Sequence, residues 1–228
     1  MSSNSNYTYS FFRVSKSDGV STSAQNLRDL RLQALKVSPG SFASTYEVES
    51  AFTDADWINR ITVPDQEVFI CAAAPLKHDY THPRESKWIA QVTLRGPMSE
   101  ADFTLPMESG FPPPNCDEEE ERWQMLSLFT LPDHRGLGLG AKLCQSALDY
   151  LRSYQSLPYH IQVRLMVKPE NQVTVKLYRR LGFTLAGRVT LVEALIANGD
   201  EHLLPKDQSS AKWSHRSGLI MVSRISRS

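Results

Sequence analysis

The reading of this chain turns on residues 128–143, Leu128-Phe-Thr-Leu-Pro-Asp-His-Arg-Gly-Leu-Gly-Leu-Gly-Ala-Lys-Leu143. The stretch leaves an apolar strand, Trp123–Thr130, and passes through a turn bearing Gly136, Gly138 and Gly140. It then enters a helix that reaches about Arg152, with Leu139, Leu143, Ala147 and Leu151 recurring every four residues. A helix N-terminus presents unpaired N–H groups and the positive end of the macrodipole, so a glycine turn feeding a helix is an anion site before any side chain is considered. Two phosphate loops are tested against it. The Walker loop needs Gly-x-x-x-x-Gly-Lys-Ser/Thr, but here Ala141 precedes Lys142 and Leu143 follows it, which disfavours a nucleoside triphosphatase. The dinucleotide fingerprint needs its last glycine at 141 or 143. Neither is glycine, although Ala141 is a tolerated substitute, so that reading is weakened and stays open.

Downstream, Ile161–Lys168 alternates, with Ile161, Val163, Leu165 and Val167 on one face of a strand. Pro169-Glu170-Asn171 breaks it and starts a helix, Gln172–Leu181, closed by Gly182. Phe183–Val192 and Ser217–Ile225 read as the last strands, with Asn198–Ser214 as loop. Upstream, Tyr9, Phe11, Phe12 and Val14 mark a first strand, and leucines at 27, 30, 32 and 35 place a helix over Thr22–Lys36 that stops at Pro39-Gly40. Thr45–Arg60 reads as one acid-rich helix with Trp57 and Ile58 inward. Glu67–Ala74 and Lys87–Leu94 read as a hairpin. Met98–Glu121, with Pro106, Pro112, Pro113 and Pro114 and the acid run Asp117–Glu121, reads as a loop that supports no packed element, its acids a solvated face, with an amine-attracting rim as the alternative.

A length of 228 residues fits one generous domain, and 41% hydrophobic residues supply a core. Lys plus Arg number 25 and Asp plus Glu number 25, so there is no cationic excess for nucleic acid or an anionic membrane, and neither is an expected partner. No apolar run approaches the ~20 residues of a membrane helix. The polar start Met1-Ser-Ser-Asn-Ser-Asn reads as no secretory signal. Cys71, Cys116 and Cys144 form no Cys-x-x-Cys pair and read as reduced thiols of a cytoplasmic protein. His78 and His82 have the spacing of metal ligands, but Pro83 and their polar surroundings put them in a loop, and no metal is expected.

Residues 128–143 resemble motif A of the Gcn5-related N-acetyltransferase (GNAT) superfamily, from Arg135-x-x-Gly138-x-Gly140 onward. Val167-Lys-Pro-Glu-Asn171, Leu177-Tyr178 and Leu181-Gly-Phe183 resemble its motif B, and Leu30–Phe42, Trp57 and Lys87–Arg95 resemble the N-terminal half of the fold. The resemblance covers nearly the whole chain. It implies an α/β (α+β) fold: a mixed, mostly antiparallel sheet of six to seven strands flanked by about four helices, with a splayed strand pair at the cofactor site. It also implies one N-acetyltransferase domain over residues 1–228 and acetyl-CoA as cosubstrate.

By matching positions, the backbone of Arg135, Gly136, Leu137, Gly138, Leu139, Gly140 and Ala141 would hold the pyrophosphate. Leu128, Phe129 and Thr130 would pair with the pantetheine arm, one N–H polarising the thioester carbonyl. Asn171 would contact the same arm, or serve as the N-cap of its helix. Tyr178 would bind there too and, as a phenol of pKa about 10, protonate the leaving thiolate, the catalytic role. A core-capping tyrosine is the alternative. Many members carry a glutamate on the strand equivalent to Trp123–Thr130, and this chain has none, so Glu121, Glu47, Glu49 and a water relay at Ser127 stand unranked as the base. Glu47 and Tyr46 are candidate acceptor contacts and also typical exposed helix residues. His134 reads as solvent-facing and Cys144 as a small core residue. The leading function is transfer of acetyl to a primary amine of a small molecule. A protein or peptide N-acetyltransferase and a non-catalytic acyl-CoA-binding protein are the competing readings. Dimers are common in the family, so a homodimer is a further expectation.

Overall fold

The computed structural model describes residues 6–42, 44–76, 86–208 and 210–227. His78 and His82 lie outside them. The strands are β1 (Tyr7–Arg13), β2 (Gln66–Pro75), β3 (Lys87–Met98), β4 (Glu120–Thr130), β5 (His160–Val167), β6 (Thr184–Val189) and β7 (Gly218–Ser226). The α-helices are α1 (Val20–Val37), α2 (Tyr46–Ser50), α3 (Asp54–Thr62), α4 (Glu100–Phe103), α5 (Leu139–Ser153), α6 (Gln172–Arg180), α7 (Leu191–Asn198) and α8 (Ala211–Ser214). One seven-stranded sheet runs in the order β1-β2-β3-β4-β5-β7-β6. β1/β2, β5/β7 and β6/β7 are antiparallel, and β4/β5 is parallel. The parallel ladder ends at Gln124↔Arg164, although β4 continues to Thr130 and β5 to Val167. That early end is the pairing pattern of a splayed pair.

The chain divides into two compact units, Met1–Thr93 with Ser127–Ala147, and Leu94–Leu126 with Leu148–Ser228. In the first, α1 and α3 bury Leu27, Leu30, Ala34, Trp57 and Ile61. The inward partner of Trp57 is Ile61, four residues on, while Ile58 is only half-buried. The expected single helix over Thr45–Arg60 is two helices. Thr53 breaks it by forming a capping box with Asp56, whose backbone N–H it accepts and whose carboxylate accepts from the Thr53 N–H at 2.8 Å. With α4, α7 and α8, this brings the described helices to eight rather than about four.

The second unit holds the largest departure from expectation. Met98–Glu121 contains α4 and a 3₁₀ turn, Met107–Ser109, and its Phe103 and Phe111 are buried in a core with Met98, Val189, Ile220 and Val222. A fully buried arginine fastens it: Arg164 Nε donates to Gln124 Oε1 at 2.7 Å, and Nη1 donates to the Phe103 carbonyl. The guanidinium also lies 3.9 Å from the Phe103 ring centroid. Burial, reinforced by Arg95, pushes the Arg164 pKa down to about 9. The acid run is a solvated face only in part: Asp117, Glu118 and Glu119 are exposed, whereas Glu120 and Glu121 are buried in β4, and Arg122, also buried, pairs with Asp117. The expected strand Phe183–Val192 stops at Val189, because Thr190 and Glu193 form a capping box that starts α7. The Asn198–Ser214 loop contains a 3₁₀ turn, Glu201–Leu203, and α8.

Candidate active site

The motif A turn is built from geometry that only glycine adopts without strain. Pro132–His134 form a 3₁₀ turn, and Arg135 leaves it extended. Gly136 and Gly138 then take φ of 79° and 74°. A Cβ built on either would meet no atom within 4 Å. Crowding by protein therefore does not explain these glycines; left-handed backbone and open space in front of it do. Buried Leu139 begins α5, and the first backbone bond into the helix is Lys142 N–H to the Gly138 carbonyl at 3.1 Å. The N–H groups of Leu139, Gly140 and Ala141 thus fall in the first turn, where no intrahelical acceptor exists. Two left-handed glycines followed by free helix donors make an anion-binding concavity, with half-buried Leu137 between the glycines.

Arg135, the turn's cation, is tied back to the strand that precedes it. Its Nε donates to the Thr130 carbonyl at 2.9 Å, its Nη2 to Ser38 Oγ at 3.3 Å, and its guanidinium lies 5.4 Å from the Phe129 ring centroid. Phe129 is buried and Leu128 half-buried, as expected of neighbours on opposite strand faces. Ser127, just before them, has φ 59°, a left-handed residue within a strand, and its carbonyl accepts from Gln91 Nε2 at 3.4 Å. No glycine or asparagine in the sequence signalled that kink. His134 is half-buried rather than fully solvent-facing. Its Nδ1 lies 3.1 Å from the Tyr9 hydroxyl, Tyr7 packs edge-on at 5.1 Å, and burial holds its pKa below the ordinary value against the pull of Asp133.

In the other unit, α6 carries both motif B residues. Asn171 is its N-cap, Oδ1 accepting from the Thr174 N–H at 3.3 Å. Tyr178 is buried about two turns further on, its ring 5.6 Å from Phe183, and Gly182 closes the helix with φ 87°.

Two of the base candidates are already committed. Glu49 is fully buried, its carboxylate taking a bidentate contact from Arg31 at 2.6 and 2.9 Å and a third from Arg60 at 3.1 Å. Glu121 accepts from Trp123 Nε1, Gln155 and the Tyr154 hydroxyl and pairs with Arg227 at 2.7 Å. The Arg31 and Arg60 contacts hold the Glu49 carboxyl below its ordinary pKa, which makes it a poor proton acceptor. Sequence spacing could not reveal either pairing. Glu47 is exposed at the start of α2, and Tyr46 lies under the Lys36 ammonium, 4.3 Å from its ring centroid.

Cys144 and Cys71 are buried, and burial pushes their thiols up to about 12 and about 11. The native protein is expected to titrate one thiol, exposed Cys116, with a disulfide reagent, and three after unfolding. Rapid reaction of a second native thiol would contradict this burial. Among the described residues no cluster of three or more His, Cys, Asp or Glu could hold a metal, and no helix is long and apolar enough to cross a membrane.

A strand, a left-handed glycine turn and a helix whose first N–H groups have no intrahelical acceptor give the chain a backbone concavity suited to an anion. The chain belongs to the acetyltransferase (GNAT) family, whose family model matches residues 63–183, more than half of the chain. No curated protein sequence matches it. Among solved structures it is similar to a GNAT-family acetyltransferase from Streptococcus pneumoniae, with 12% identity over 96% of this chain and 100% of that one, and a TM-score of 0.57. It is also similar to Arabidopsis thaliana NAA60 in complex with acetyl-CoA, with 19% identity over 96% and 99% of the two chains and a TM-score of 0.53. A third is a phosphinothricin acetyltransferase from Sinorhizobium meliloti in complex with acetyl-CoA, with 12% identity over 97% and 90% and a TM-score of 0.54. At these identities the likeness is one of fold.

Proposed function

We propose that the whole chain acts as a single N-acetyltransferase domain that moves acetyl from acetyl-CoA to a primary amine of a small molecule. The observation that carries this is the Gly136–Ala141 turn, whose left-handed glycines leave the backbone N–H groups open in front of α5. The bound thioester supplies an activated acetyl group. The chain's own part is to hold the pyrophosphate on the N–H groups of Arg135–Ala141 and to align the pantetheine arm along Leu128–Thr130, with Asn171 as a further contact for that arm and the Tyr178 hydroxyl as the proton donor to the departing thiolate. As the neutral acceptor nitrogen forms its bond to the carbonyl carbon, the carbon–sulfur bond breaks and the sulfur takes that proton; the nitrogen gives up one of its own protons to solvent, and the Tyr178 oxygen regains one from solvent.

The unpaired cysteines support a reducing, cytoplasmic setting. Of the acid run that could attract a basic tail, Glu120 and Glu121 are buried and Asp117 pairs with Arg122, while Glu118 and Glu119 stay exposed, so the run offers fewer carboxylates than its sequence suggests, and the small-molecule acceptor is the reading put forward.

Thiol release measured across a panel of amines, amino acids and peptides tests the reading. Turnover of small amines supports it, and turnover of peptides alone would replace it with a peptide acetyltransferase. Coenzyme A that stabilises the protein against heat while no amine releases thiol would make the chain a non-catalytic binder. Tyr178→Phe is expected to lower kcat about 10²-fold while leaving coenzyme A affinity within about twofold of the wild type, since the phenol acts on the leaving group. An unchanged kcat would remove Tyr178 from the catalytic role.

A further inference from the structure

We propose that Phe42, a residue of the segment after α1, is a positioning residue for the phosphate turn. Its ring is the link through which α1 and the Glu49 ion pair hold the Arg135 guanidinium in place. The contacts form an unbroken series within one compact unit. Arg31, fixed by the fully buried Glu49, stacks on the Phe42 ring at 4.4 Å from its centroid. Phe42 meets Phe129 with centroids 5.8 Å apart, tilted by 52°. Phe129 in turn carries Arg135 at 5.4 Å. The other end of Arg135 returns to the same segment, Nη2 donating to Ser38 Oγ. Cation, ring, ring, cation is an electrostatically favourable order, because each guanidinium faces the negative side of a π system.

The arrangement has a consequence for a ligand. Arg135 is exposed, and a free arginine carries several rotatable bonds whose freedom would be lost on gripping a phosphate. Held against Phe129 with its Nε on the Thr130 carbonyl, it meets an anion already ordered. Phe42, only half-buried, covers Phe129 from the outside. Removing the Phe42 ring frees Phe129 and with it Arg135, without touching the turn itself. The inference rests on the reading that this turn binds coenzyme A.

Calorimetric binding of coenzyme A to the full chain separates the two ideas. If the wild-type chain binds no coenzyme A, the functional reading fails first. If it binds, Phe42→Ala is expected to weaken coenzyme A about tenfold, the combined effect of one aromatic and one cation–π contact. Binding of pantetheine, which lacks the phosphates, should be unchanged, and Phe42→Tyr should restore coenzyme A affinity. Arg135→Ala should cost a similar factor, and the double variant should be no weaker than Arg135→Ala alone, because the ring acts only through that guanidinium. Additive losses, or an equal loss for pantetheine and coenzyme A, would overturn the proposal. A Phe42→Ala chain that melts early is replaced by Phe42→Leu, which keeps apolar volume and removes the π face. Unchanged coenzyme A affinity there would overturn the proposal equally.

Discussion

Glu49→Ala is expected to destabilise the chain by about 3–5 kcal/mol, the cost of leaving one member of a buried ion pair uncompensated. The side chain of Arg31 is 9% exposed and that of Glu49 is 0% exposed, so water cannot replace the lost carboxylate. Arg60, which also reaches Glu49, is more open and recovers part of its solvation. Urea unfolding should show a lower midpoint with an unchanged m-value, and a loss below about 1 kcal/mol would show that the triad adds little. The pH dependence follows from the direction of the shift. Burial alone would raise the Glu49 pKa, but the Arg31 hydrogen bond and the charges of Arg31 and Arg60 outweigh it and hold the carboxyl below its ordinary value. The associated stability is present above the unfolded glutamate pKa of about 4.3 and lost as pH falls through the lower folded value. The wild type should therefore weaken in that acid range more steeply than Glu49→Ala.

Gly138→Val is expected to weaken coenzyme A binding by about ten- to a hundredfold while leaving the fold standing. A β-branched residue at φ 74° costs on the order of 1–3 kcal/mol in backbone strain, which the turn relieves by leaving its left-handed conformation. The added side chain would also occupy the open space in front of the N–H groups. Since that space holds no protein atom, the melting temperature should fall by only a few degrees. Calorimetry with coenzyme A reads the first effect and thermal unfolding the second. Wild-type affinity in Gly138→Val would mean that the phosphates bind elsewhere. Gly138→Ala, with a smaller obstruction and less strain, should lie between the two.

The elements legible in the sequence are those whose signal is local. The glycine turn before Leu139, the alternation of β5 and the closure of α6 by Gly182 each depend on residues within one or two turns of each other, and each stands within a residue or two of its expected place. Thr53-x-x-Asp56 and Thr190-x-x-Glu193 are equally local: each capping box opens a helix, the first dividing the expected Thr45–Arg60 helix in two and the second ending the expected Phe183–Val192 strand at Val189. The remaining departures are of another kind. Phe103 and Phe111 lie in a stretch whose prolines and acids argue for a loose loop, and what packs it down is Arg164, some 61 residues from the Phe103 carbonyl it holds.

The sequence alone determined the order of strand, turn and helix and, through the resemblance of its two motifs to those of the GNAT family, the acetyltransferase fold. Periodicity and φ preference are properties of short stretches and survive without tertiary context. Only the tertiary structure decided which carboxylates remain available. Glu49 is engaged by Arg31 across 18 positions and Glu121 by Arg227 at the far end of the chain. A charge is exposed or neutralised according to what the fold brings against it, and no local pattern encodes that. The same holds for Phe42 against Phe129: two aromatic residues unremarkable in their own segments meet only once β4 and α1 are in place.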